Sequence, residues 1–110
     1  ATGAGKSGLM YSYAIRQHET RVELAIDTGD RGENQAIFEQ LQAQRDQIEE
    51  IFGAPLHWDQ VEGRRAFYIR YHLEEGGYRD EDAWPEIHKR MIDAMIRLER
   101  ALKPHIAQLR

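Results

Sequence analysis

The side chains in this sequence that could carry chemistry are five histidines, two serines and a scatter of carboxylates, and their spacing assembles none of the familiar local motifs. His18, His57, His72, His88 and His105 include no pair three or four positions apart, the separation that sets two imidazoles on one helix face around zinc. Ser7 and Ser12 have no histidine within a few residues, so a nucleophile and its base would have to be brought together by the fold. Asp27 and Asp30 stand where a strand gives way to a helix and could attract a cation, but Asp30 is better used as a helix cap. No glutamate precedes a lysine by two positions, as the metal-dependent nuclease pattern requires. Gly3-Ala4-Gly5-Lys6-Ser7 resembles the end of a phosphate-binding loop, yet the earlier glycine is missing and the pattern after Ser7 is that of a strand, not a helix. The expectation is a chain with no catalytic residue, no metal and no cofactor of its own.

What must position these residues is a short succession of elements. From Leu9 to Arg16 apolar and polar residues alternate, with Leu9, Tyr11, Tyr13 and Ile15 on one side; after Gln17-His18-Glu19-Thr20 the alternation resumes with Val22, Leu24 and Ile26. This predicts a β-hairpin. Asp30 and Glu33 have the spacing of a capping box, and Ile37, Phe38, Leu41, Ile48, Ile51 and Phe52 then recur at helical spacing, predicting one helix that ends at Gly53 before Pro55. Gln44 and Arg45 interrupt that stripe. Leu56-His57-Trp58-Asp59 reads as a short strand. Arg65 to His72 reads as a longer one, with Phe67, Ile69 and Tyr71 inward and Tyr68, Arg70 and His72 outward. A last helix begins near Asp80 to Asp82, accepts Pro85 in its first turn, and places Ile87, Met91, Ala94, Met95, Leu98, Leu102 and Ile106 on one face. Pro104 should kink or end it near Leu102 to Lys103. The order ββαββα predicts an α+β fold, a four-stranded antiparallel sheet with two helices packed on one face.

Once placed on these elements, three groups of residues stand out. Arg64, Arg65, Tyr68 and Arg70 put arginine beside an aromatic ring on the outer sheet face, and Arg45 adds a cation. That composition suits phosphate contacts and base stacking, although Glu23 and Asp27 dilute it. Ile92 and Ile96 fall outside the core stripe of the last helix, next to His88 and Glu99, and mark an interface or burial against the sheet margin. Gln44, Arg45 and Trp58 form the alternative, a pocket for a small anionic ligand or substrate. An unpaired Arg45 in a deep cavity would favour that pocket, and an ion-paired Arg45 would oppose it.

Composition bounds the rest. The 110 residues carry a net charge of −4 and no cysteine, which excludes disulfides, thiolate metal sites and cysteine nucleophiles. Apolar runs are too short for a membrane span or the core of a signal peptide, so a single cytoplasmic domain is expected. Charge is segregated: residues 27–62 hold nine acidic and two basic side chains, whereas residues 87–110 hold six basic and two acidic. Internal pairing between an acidic helix and a basic strand or helix is the simplest consequence; a local anion-binding surface is the other.

RVELAID (Arg21 to Asp27), ENQAIFEQLQAQRDQIEEIFG (Glu33 to Gly53), PLHW (Pro55 to Trp58), the arginine-rich strand from Arg64 to Tyr71, WPEI from Trp84, and MIRLERALKPHI up to Ile106 together resemble a bacterial and archaeal family, domain of unknown function 4268. The resemblance covers nearly the whole chain. It implies an accessory domain at the C-terminal end of a longer, nuclease-like restriction or defence protein, and the start at Ala1 without a methionine agrees with that expectation. It transfers no catalytic residue. Nucleic-acid association through Arg45, Arg64, Arg65, Tyr68 and Arg70, and self-association or docking to a partner domain through Ile92 and Ile96, are the functions expected of such a module.

Overall fold

In the computed structural model, residues 2–15, 19–60, 66–73, 82 and 84–109 are described. The alternation that starts at Leu9 becomes strand β2 (Leu9–Ile15), which pairs antiparallel with β3 (Thr20–Ile26) from Leu9↔Ile26 to Ile15↔Thr20. β5 (Phe67–Leu73) flanks β3 on its other side, from Ile26↔Phe67 to Thr20↔Leu73. β3 is therefore central, and Val22, Leu24 and Ile26 are fully buried. β4 (His57–Asp59) closes one edge by pairing His57↔Arg70, Trp58↔Ile69 and Asp59↔Tyr68.

The opposite edge holds a strand that sequence periodicity does not show. β1 (Thr2–Gly3) pairs with Met10 and Tyr11, giving a five-stranded antiparallel sheet in the order β1-β2-β3-β5-β4 in place of the expected four strands. The glycine-rich entry is thus a folded hairpin. Ala4 N–H donates to Leu9 O (3.0 Å), Leu9 N–H donates to Lys6 O (3.1 Å), and Gly5 and Gly8 take the left-handed backbone that closes the turn. A Cβ on Gly8 would lie 2.7 Å from Thr28 Cα, so this glycine also lets the hairpin dock on the loop before the first helix. Thr28 is held there by donating its N–H (2.8 Å) and hydroxyl (2.6 Å) to Oδ1 of the buried Asn34.

The single helix expected from Asp30 to Phe52 is two. α1 (Arg31–Gln42) starts under the Asp30 cap, whose Oδ1 accepts from Gly32 N–H (2.9 Å), and α2 (Arg45–Phe52) ends at Gly53 with φ +96°. Between them Gln44 leaves helical geometry, with φ −105° and ψ 19°. The physical reason lies in the interrupted stripe: a continuous helix would carry Gln44 and Arg45 on its apolar side, and the break lets both face water while Ile48 and Phe52 stay buried. Ile51, expected in the core, is exposed. α3 (Trp84–Ala107) runs through Pro104 instead of ending there. The proline removes a hydrogen bond to the carbonyl of the exposed Arg100 close to the helix end, while buried Leu102 and Ile106 hold both sides of the ring to the core.

All three helices contribute to one core against one face of the sheet. Phe38 of α1 stacks on Phe67 (ring centroids 5.3 Å apart) and meets the edge of Trp58, Phe52 of α2 meets Tyr71, and Leu98 and Leu102 of α3 lie against the same layer. The strand residues of opposite parity, among them Ser12, Arg21, Glu23, Tyr68, Arg70 and His72, form the other face of the sheet. No helix among the described residues is long and apolar enough to cross a membrane.

Candidate interaction surface

On the outer sheet face β-pairing sets Glu23 opposite Arg70, and His57 and Asp59 of β4 beside it. Arg70 Nε donates to Glu23 Oε2 (2.6 Å), its Nη1 donates to Asp59, and its guanidinium lies 4.1 Å from the centre of the Tyr68 ring. Arg21 approaches the same Glu23 oxygen at 3.7 Å, and Ser12 Oγ donates to the other at 3.5 Å. The result is a largely buried ion cluster, with Glu23 at its centre. An arginine already shared by two carboxylates and stacked on an aromatic ring has little left to offer a phosphate.

The described residues among those named for nucleic acid are not gathered on one surface. Tyr68 and Arg70 lie on the outer sheet face, while Arg45 lies on α2 in the helix layer on the other side. Arg64 and Arg65 lie outside the described residues. Asp59, which completes the Arg70 cluster, escapes a reading of the sequence because its role depends on β4 pairing with β5 fewer than a dozen residues later.

At the alternative site, Gln44 and Arg45 are exposed and Trp58 is half-buried. Arg45 is exposed and its Nε donates to Glu49 Oε1 (3.3 Å); the Trp58 indole N–H (3.2 Å) and Leu56 N–H (2.7 Å) donate to Oε2. Glu49 thus joins Arg45 and Trp58 and pins α2 to the start of β4. Burial pushes the Glu49 carboxyl up, but the hydrogen bonds from Leu56, Trp58 and Arg45 together with the arginine charge outweigh it and hold the group below its ordinary value. Gln44 is exposed at the helix break. Two open grooves, of about 670 and 520 Å³, lie instead around Pro55, Tyr71 and His72, and neither is lined by Gln44, Arg45 or Trp58. In the first, Arg97 is engaged by the Phe52 carbonyl (2.8 Å) and Asp93 (3.2 Å). The fold does bring His57 and His72 to 5.1 Å between ring centres, with Glu19 3.6 Å from His72 Nδ1, but no group of three or more His, Asp or Glu among the described residues is placed to hold a metal ion.

Ile92 and Ile96 are 55% and 50% exposed, as their position outside the core stripe predicts. They are not isolated. α3 crosses β3 and reaches β2, with Arg90, Asp93 and Arg97 on the flank nearest Tyr71 to Leu73. By helical spacing Ile92 and Glu99 lie on the opposite flank, the β2 side, and Ile96 is turned further toward solvent. There Tyr13 and Ile15 are 45% and 48% exposed. Burial first, and then the Glu99 charge, push the Tyr11 hydroxyl up to about 12 and raise that of Tyr13. Alternation assigns Tyr13 and Ile15 to the inner face, correctly, but α3 ends its cover before reaching them.

Searches of curated proteins and of solved structures find no match to this chain. The family described as Domain of unknown function (DUF4268) matches residues 1–106, taking in the sheet, all three helices but the last residue of α3, and both surfaces just described. The chain belongs to the DUF4268 family.

Proposed function

We propose that this chain is a non-catalytic association module of a nuclease-like restriction or defence protein, which docks through the apolar margin formed by the outer flank of α3 and the end of β2. The observation that carries this reading is the coincidence of four exposed large apolar side chains, Ile92, Ile96, Tyr13 and Ile15, on two elements that meet along one side of the molecule. Exposed apolar surface that is contiguous, and not scattered, marks contact sites. The polar clusters support the reading from the other direction: Glu23 serves Arg70, Glu49 serves Trp58 and Leu56, and Asn34 serves Thr28, each binding the fold to itself. Placement on nucleic acid is the weaker half of the expectation, because Arg70 is occupied and Arg45 lies away from it.

Light scattering tests the proposal. The chain should run above the 12.9 kDa of a single copy, and Ile96→Asp should return it to that mass with its circular dichroism unchanged. An unaltered mass in the variant would remove the α3 flank from the contact.

A further inference from the structure

The helix layer carries charge that the fold itself does not use. Pairing the acidic stretch 27–62 with the basic stretch 87–110 inside one chain is the simplest arrangement, yet among the described residues no ion pair joins α2 to α3. Their pairs run along each helix instead, from Arg45 to Glu49, Arg90 to Glu86 and Arg97 to Asp93. Asp46 and Glu50 of α2, and Lys89, Arg100 and Lys103 of α3, are exposed and make no ion pair or side-chain hydrogen bond among the described residues. By helical spacing Asp46 and Glu50 lie opposite the buried Ile48 and Phe52, while Lys89, Ile96, Arg100 and Lys103 lie opposite the buried Leu98. One helix thus turns an acidic stripe to solvent, and its neighbour a basic stripe around an exposed isoleucine.

The two stripes are in register. Arg97 Nε donates to the carbonyl of Phe52 (2.8 Å), which fixes one level shared by both helices. The chain leaving α2 at Ala54 and Pro55 then lines a groove with Arg97, Asp93 and Arg90, so α2 runs antiparallel to α3. From the shared level Asp46 and Lys103 are each six residues away in the same direction, about 9 Å along the helices. Glu50 and Arg100 lie two and three residues away on that side, and Ile51 and Ile96 lie one residue to either side of the level. Ile51, exposed although its spacing assigns it to the core, occupies the flank of α2 opposite Arg45 and Glu49.

We infer that the partner is a second copy of this chain, packed helix layer to helix layer about a two-fold axis along the α2–α3 seam, so that α2 of each copy lies over α3 of the other. This rests on the association reading above and names its partner, the contact continuing from the β2 margin through Ile96 across α3. Rotation about that axis leaves every residue at its own level. Glu50 and Asp46 of one copy therefore come over Arg100 and Lys103 of the other, and the same match repeats on the far side of the axis. Ile51 and Ile96 supply apolar surface between the charged ends. The acidic residues of α3 do not oppose the match, because Asp93 serves Arg97 and Glu99 is turned to the β2 flank. An acidic segment of another protein is the rival occupant of the basic stripe; it would leave the acidic stripe beside it unused.

Exchanging the charges tests the pairing. Arg100→Glu with Lys103→Glu sets acid against acid, and Asp46→Lys with Glu50→Lys sets base against base. Each double variant should keep its circular dichroism and weaken self-association by at least about tenfold, since like charges then face one another across the contact. An equimolar mixture of the two should recover the doubled mass by light scattering, because each reversed stripe again meets its opposite. A mixture that stays at 12.9 kDa, or double variants that hold the doubled mass while Ile96→Asp loses it, would overturn the helix pairing and leave association through the margin intact. A wild-type mass of 12.9 kDa at every concentration would overturn both.

Discussion

Glu49 has three donors around it, and acid should find it early. Its folded carboxyl is held below the ordinary value of 4.5, so the stability it contributes is fully present above that pH and is lost as pH falls through the lowered folded value. Glu49→Gln should cost about 1–3 kcal/mol near neutrality, the penalty for weakening bonds to a charged group. The cost should shrink in acid, where the wild-type carboxyl is itself protonated, and urea unfolding at pH 7 and pH 3 measures both. Arg70 makes the complementary case. Arg70→Ala strips a largely buried Glu23 of its closest partner, and should destabilise the fold toward the low end of about 3–5 kcal/mol, since Arg21 remains nearby. A variant that kept its urea midpoint and lost duplex affinity would show instead that Arg70 serves nucleic acid. Neither cluster is legible in the sequence. Helical spacing singles out Arg45 as a charge in need of a partner, but that partner is one helical turn away, and the convergence of Leu56 and Trp58 on the same carboxylate depends on a tertiary turn at Gly53 to Pro55.

At the scale of elements, periodicity succeeds where one face is buried and the other is not. The β2–β3 hairpin, the inward and outward residues of β5, the Asp30 cap and the Gly53 terminator all follow from it. It fails where a competing effect acts. Hydrophobic spacing alone continues the first helix through Gln44 and Arg45; the cost of turning those polar groups inward breaks it. Pro104 signals a kink or an end, and the helix continues through it with Leu102 and Ile106 buried on either side. β1 has two residues, too few for alternation, and its existence depends on the left-handed turn at Gly5 and Gly8. Gly8→Ala should therefore loosen both the hairpin and its seat on Thr28, costing about 1–3 kcal/mol for strained backbone and a steric clash. A thermal midpoint unchanged by this substitution would mean that β1 adds nothing to the fold.

For the molecule as a whole, one side of the sheet is covered by helices and the other is stitched by Glu23, Arg70 and Asp59, and the margin of β2 and α3 carries four of the exposed large apolar side chains among the described residues. Ile92 and Ile96 can be read from the helical wheel as surplus to the core. Their company cannot, because Tyr13 and Ile15 belong by parity to the buried face, and only the path of α3 uncovers them. The most direct measurement is amide hydrogen exchange at Tyr13 and Ile15 across a concentration series, in the wild-type chain and in Ile96→Asp. Docking of two copies through this margin predicts slow exchange at high concentration that quickens on dilution and in the variant; rates that ignore both dilution and Ile96→Asp would contradict it.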